Sequence, residues 1–308
     1  MCDMTNPIFH DEAKARAHLE ALQWAEGRYC PHCGEAERTS PVKGKSHRPG
    51  LYYCLSCKKQ FTVTVGTLLE RSKIPLHKWV LAFHLLSASK KGMSAHQLHR
   101  MLGITYKSAW FMAHRIREAM RDDDPTPMGG PGSKIEIDET YIGGKKRGKN
   151  QLGVNYGIED KMKVVSLVER DGHVRSFHVD RVNSRIVREI LVRNASRESD
   201  LRTDEAKFYR AVGKEFASHE RVHHAIKEYV RGDAHTNTIE GYFSIFKRGI
   251  KGIYQHCSER HLHRYLTEFD FRYNQRSRFK ISDSERAAKA LKGIVGKRLT
   301  YRRTGSWA

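Results

Sequence analysis

"SKIEIDETYIGGKKRGKN", residues 133–150, decides how the second half of this chain is read. Apolar and polar residues alternate from Ile135 to Asp138, which predicts a strand with Ile135 and Ile137 on one face and Glu136 and Asp138 on the other. A regular strand turns Glu139 toward the isoleucines. An acid on a sheet face is ordinarily just solvated. This strand, however, runs directly into a glycine-rich loop bearing Lys145, Lys146, Arg147 and Lys149. Such a loop is either a solvated hairpin tip or a place where backbone and cations come close to phosphate.

Outward from that stretch, strands alternate with helices. "KVVSLVER" (163–170) and "VRSFHVD" (174–180) read as the next two strands, and "SRIVREILVRNA" (184–195) as a helix capped at Ser184. "DLRTDEA" (200–206) reads as a short strand entering a helix around Phe208, Tyr209, Val212 and Phe216. The fold class this predicts is α/β, a mixed sheet flanked by helices. Asp204 falls where a strand gives way to a helix, the edge at which such folds place their chemistry, although it would also suit a helix cap. In "DAHTNTIEGYFSIFKRGIKG" (233–252), Ile239, Phe243 and Phe246 have core spacing, and Asn237, Glu240 and Lys247 share one helix face. An exposed polar stripe has the same pattern.

Charge narrows the partner. The 308 residues carry 56 Lys and Arg against 35 Asp and Glu, a net charge of +21 spread along the whole length. Such a field favours a polyanion, because neutralised phosphates release condensed counterions. No apolar run approaches a membrane span, and the N-terminal residues lack a signal-peptide layout, so no membrane is expected and the location is the cytoplasm. Thiols stay reduced there.

The first half carries two further modules. Cys30 and Cys33 in "CPHC" and Cys54 and Cys57 in "CLSC" are spaced for one tetrahedral Zn²⁺ in a ribbon of short strands. His32 and His47 are spare ligands to a set already complete, and Cys2 and Cys257 stand unpaired. Leu76, Trp79, Val80, Phe83 and Leu86 then recur at helical spacing. Ser94 can cap a second helix, Gly103 turns the chain, and Ala109, Met112, Ala113, Ile116 and Met120 line a third, which together make a helix-turn-helix outline. That pattern leaves Lys107, Ser108, His114, Arg115 and Arg117 largely for an outer face able to meet DNA. "RDDDPTPMGGPG" (121–132) breaks the chain and sets a domain boundary before the α/β half.

The expected domains are therefore 1–72, the ribbon with its N-terminal helix; 73–122, the helix-turn-helix-like segment; 133–280, the α/β core; and 281–308, a basic tail. His219, His223 and His224 read as surface or DNA-facing, and His235 as a neighbour of Asn237. Leu262, Tyr265, Leu266 and Phe269 read as core.

Sixty-five residues separate Asp138 from Asp204, and 35 separate Asp204 from Glu240. "IDETYIGGK", "TDEA", "EYVRGDAHTNTIEGYFSIFKRGIKGIY" and "HLHRYLTEFDFRYNQR", with the ribbon before them, resemble the DDE transposases of bacterial insertion sequences, in the group with an ISXO-two-like catalytic domain. The likeness spans residues 24–276. It implies an RNase H-like core in which Asp138, Asp204 and Glu240 hold two Mg²⁺ or Mn²⁺ ions, with Asn237 a secondary candidate for the third position. It implies that Lys247, beside Arg248, lies near DNA phosphate. It further implies cleavage at element ends, joining of the freed 3′-OH to target DNA, and a homo-oligomer, a dimer or larger, on the terminal inverted repeats in a bacterial nucleoid. Hard cations explain the acids: carboxylate oxygens alone would repel DNA, and the metals reverse the local sign. A DNA-binding regulator without catalysis and an RNase H-like nuclease remain the competing classes. A serine or tyrosine recombinase is weaker, because Ser166 and Tyr141 lack a base nearby in sequence.

Overall fold

The computed structural model describes residues 3–44, 46–143, 160–223 and 230–300. Among them the chain forms two compact units, Met1–Arg121 with Gln275–Ala308, and Asp122–Asn274. The first boundary follows Arg121. The second boundary splits the expected residue 133–280 domain, because the chain returns to the first unit at Gln275.

In the first unit, helix α1 (Glu12–Gln23) precedes a three-stranded antiparallel sheet, β1 (Thr39–Pro41), β2 (Tyr52–Cys54) and β3 (Gln60–Phe61), in that order. Trp24 packs edge-on against Tyr52 and Phe61 and closes one side of this sheet. Helices α2 (Leu76–Ala88), α3 (Ala95–Leu102) and α4 (Tyr106–Ala119) follow. Ser94 caps α3 by accepting the Gln97 N–H, Gly103 ends it at φ 58°, and Thr105 caps α4. A left-handed residue with no Cβ is what a tight exit from α3 requires.

The second unit holds β4 (Lys134–Ile142), β5 (Met162–Glu169), β6 (Val174–Val179), α5 (Ser184–Asn194), β7 (Asp200–Thr203), α6 (Tyr209–Gly213), β8 (Ser218–Arg221), the small hairpin β9 (Val230–Arg231) with β10 (Ala234–His235), α7 (Asn237–Gly249) and α8 (Glu259–Asn274). The five-stranded sheet runs β6-β5-β4-β7-β8, antiparallel across the first three strands and parallel from β4 through β8. This is a mixed α/β sheet of the RNase H-like kind. Its two faces bury separate cores, Ile135, Ile137, Val165 and Leu167 with α5 and α6 on one side, Ile142, Val164 and Val168 with α7 and α8 on the other. The cap of α5 is Asn183, which accepts the Ile186 N–H; Ser184 is the first helical residue.

Residues 281–308 are not a tail throughout. Helix α9 (Asp283–Lys292) begins with a capping box from Ser282 and Glu285, and it buries Ala287, Ala290 and Leu291 in the first unit, where it packs on α2 and α4. Residues 301–308 lie outside the described residues. No helix among the described residues is long and apolar enough to cross a membrane.

One buried acid fixes α7 and α8 to the sheet. Asp270 accepts the Ser176 N–H and hydroxyl, each at 2.8 Å, and the Tyr242 hydroxyl at 2.5 Å. Burial pushes its carboxyl up to about 6, despite those donors. An acid with a folded pKa above its ordinary ~3.9 holds more protons folded than unfolded, so its contribution to stability falls as pH rises from about 4 through about 6. Melting followed by circular dichroism should therefore lose more stability across that window in the wild type than in Asp270→Asn. Equal slopes would contradict this.

Candidate active site and zinc centre

The four sequence-predicted cysteines meet. One ligand atom from each of Cys30, Cys33, Cys54 and Cys57 lies within 4.8 Å of the others. The Cys30–Cys57 and Cys33–Cys54 sulfurs stand 3.7 Å apart, too far for disulfides. A thiolate tetrahedron about 2.3 Å from Zn²⁺ has edges of about 3.8 Å, so the spacing fits that ion. The two knuckles are built alike. The N–H of Gly34 returns to Cys30 O and that of Lys58 to Cys54 O, and Gly34 and Lys58 both have positive φ. The Cys54 thiol is drawn down to about 7, first by the backbone N–H of Cys57, while burial raises the Cys57 thiol of the same knuckle. His32 and His47 take no part in the group. Cys2 lies outside the described residues, and Cys257 is buried in the second unit.

The acids converge at the sheet edge. β4 and β7 run parallel with Glu136 opposite Arg202, and two more residues along that register set Asp138 level with Asp204. β7 stops at Thr203, so beyond it the flank of β4 is unpaired and side chains from both faces can reach the same space. Oxygens of Asp138, Glu139 and Asp204 lie within 4.8 Å of one another. Asp138 Oδ1 accepts the Glu139 N–H at 2.7 Å, and Asp204 Oδ1 accepts the Ala206 N–H at 3.0 Å in a turn, away from the start of α6. Tyr209, fully buried, donates its hydroxyl to Glu139 Oε2 at 2.9 Å.

Matches to known families cover both modules. Residues 129–274 match the ISXO2-like transposase domain, and residues 10–60 match the transposase zinc-ribbon domain. The chain is similar to an uncharacterized protein in transposable element ISH50 of Halobacterium salinarum, 31% identical over 279 residues, 86% of this chain and 91% of that protein. The chain belongs to the ISXO2-like transposase family.

In this family member the carboxylates crowd one another. Burial pushes the Asp138 carboxyl up to about 8; the charge of Glu139 adds to the rise, as do those of Asp204 and Glu240, against a bond from the Glu139 N–H. Glu139 is raised as well, first by burial. A half-buried set of hard oxygens repelling one another is a donor set for a divalent cation, and the residues present fit one. Glu240 stands at the margin. It is exposed on the first turn of α7, where it accepts the Thr236 hydroxyl at 3.1 Å, and it falls outside the 4.8 Å grouping while its charge still reaches Asp138.

Glu139 is the residue that strand alternation passed over. Its one signal in the sequence is adjacency to Asp138. Asn237 is exposed at the start of α7. Lys247 lies 6.0 Å over the Phe243 ring, and with Lys161 and Lys251 it lines a cleft of about 740 Å³ that opens beside Tyr141 and Ile142 at the end of β4. Arg248 folds back on Ser244. Lys145, Lys146, Arg147 and Lys149 lie outside the described residues, as does His224. His219 is half-buried against the Thr203 hydroxyl at 3.0 Å, and burial draws its pKa down to about 4, so it is a neutral structural group. His235 sits 3.4 Å from Glu136.

The helix-turn-helix segment needs a correction. Lys107 is exposed and Arg115 is half-buried with its guanidinium over the Phe111 ring, but His114 and Arg117 are buried. A single amphipathic stripe on α4 leaves them outside; α2, α3 and α9 pack on α4 together, which covers more than one stripe.

Proposed function

We propose that this chain is an active transposase that cleaves element ends and joins the freed 3′-OH to target DNA. Asp138, Asp204 and Glu240, with Glu139, would hold the cations. The observation that carries the reading is the convergence of acids inside so cationic a chain, in a domain of transposase type. Bound there, a pair of Mg²⁺ or Mn²⁺ ions would activate the attacking oxygen and stabilise the leaving one at phosphorus.

The protein's own groups supply the rest. Asp138 stands in the middle of β4 and Asp204 one residue past the end of β7, so the β4–β7 pairing sets their separation; Glu240 comes from a helix. Tyr209 holds Glu139 from below by one hydrogen bond. Lys247, Lys161 and Lys251 line a cleft suited to the DNA backbone, where cations position the strand without reading it. End recognition belongs to the first unit, through the ribbon and Lys107, and the active form is a homo-oligomer on the terminal repeats.

Incubation of the full chain with element-end DNA, target DNA and Mn²⁺ tests this. Nicked ends together with joined strands are expected. Nicks without joined strands would favour a nuclease, and binding without nicks a regulator. For DNA contact, Lys107→Ala should weaken end binding and lower the salt slope by about 1, with the melting temperature unchanged. Arg117→Ala should instead destabilise the fold by about 3 kcal/mol, the scale for truncating a large buried side chain. Melting curves and binding isotherms at several salt concentrations separate the two.

A further inference from the structure

Glu136 looks in sequence like a second copy of Asp138, two residues earlier on the same strand face. Its surroundings differ. The side chain is 0% exposed and meets the start of α7. Oε2 accepts the backbone N–H groups of Thr238 and Ile239, both at 3.0 Å. Oε1 accepts the Thr238 hydroxyl at 2.9 Å and Arg170 Nε at 2.7 Å. Arg170 also bonds Asp233 O, Asp233 Oδ1 and His235 O, each at 2.9 Å, and so holds the β10 end of the small hairpin that leads into α7.

A helix start leaves backbone N–H groups without intrahelical partners and a partial positive charge. In most helices a side chain just ahead of the first turn meets them. Here Thr236 makes no side-chain cap bond, and the carboxylate arrives from a strand about 100 residues away in sequence. A fully buried carboxylate is tolerated only when its oxygens are saturated with donors, and four donors converge on this one.

The two ends of this link each lie two residues from a proposed ligand. Glu136 precedes Asp138 on β4, and Thr238 precedes Glu240 on α7. We propose that Glu136 is a positioning residue, seating the first turn of α7 on the strand that carries Asp138 and thereby setting where Glu240 presents its carboxylate to the cation site. The inference rests on the reading that Asp138, Asp204 and Glu240 hold divalent metal.

Mn²⁺ binding to the full chain, followed by calorimetry, tests it. Glu136→Gln keeps the shape but sets an amide donor against N–H donors. Mn²⁺ affinity should fall about 10- to 100-fold, the usual cost of removing a group that orients a metal ligand. In a Glu240→Ala background the same change should cost almost nothing further, because the effect passes through Glu240. A merely structural role would lower affinity equally in both backgrounds, and that result, or unaltered affinity in Glu136→Gln, overturns the proposal. Should Glu136→Gln fail to fold, Thr238→Val removes one donor, leaves the carboxylate, and should give a smaller loss with the same dependence on Glu240. If Asp138→Asn leaves Mn²⁺ affinity at the wild-type value, the cation-site reading itself fails and takes this inference with it.

Discussion

Asp138→Ala is expected to lower element-end cleavage at least about 10³-fold, while binding of the same DNA stays within about twofold of wild type. The loss corresponds to about 4 kcal/mol of transition-state stabilisation, since each tenfold is about 1.4 kcal/mol, and bound metal supplies several kcal/mol of that kind. Asp138 is the residue to choose because its carboxylate lies within 4.8 Å of those of both other acids and burial pushes it up to about 8. Removing it takes away a repelled charge, so the metal-free fold should not suffer. Gel assays for cleavage and binding on the same preparation, with a melting curve, check the split. Cleavage near the wild-type rate would remove Asp138 from the chemistry.

Cys30→Ser has the second large effect and the opposite pattern. Zinc should drop from one per chain toward none, and end binding should weaken at least about tenfold. A site of four thiolates binds Zn²⁺ with about 10–16 kcal/mol at neutral pH, and in small ribbons that binding is itself the folding free energy. β2 and β3 are too short to hold a sheet alone, at three and two residues. Cys257→Ser, in the other unit, should leave zinc untouched. Metal analysis by atomic absorption decides, and unchanged zinc in Cys30→Ser would contradict the ribbon.

Sequence carried the local signals well and the pairings poorly. Alternation in "KIEIDETYI" and "KVVSLVER" marks β4 and β5 because a strand with covered faces repeats every two residues. The CxxC pairs were legible for a similar reason: the ligands lie close along the chain. That Asp138 meets Asp204 depends on β4 and β7 pairing in parallel, which no local pattern states. Glu139 was assigned to the isoleucine face, and alternation is right about its direction; what it cannot express is that β7 ends at Thr203 and leaves the flank open. Glu136 and Asp138 are alike in sequence, yet one is buried on a helix start and the other faces the site. Arg117 and His114 fall on the outer face in a single-stripe reading of α4, which does not express that α2, α3 and α9 all pack on that helix. The apolar face of α9 rests largely on Ala287, Ala290 and Leu291, and alanines give a weak periodic signal.

On the proposed function, Asp138 and Asp204 would grip a divalent cation together. Crystals of the full chain grown in Mn²⁺ and measured at the manganese absorption edge test it most directly. An anomalous peak bridging the two carboxylates is the result expected, with no peak in Asp138→Asn. Manganese absent from the wild-type cluster at saturating concentration would contradict the account.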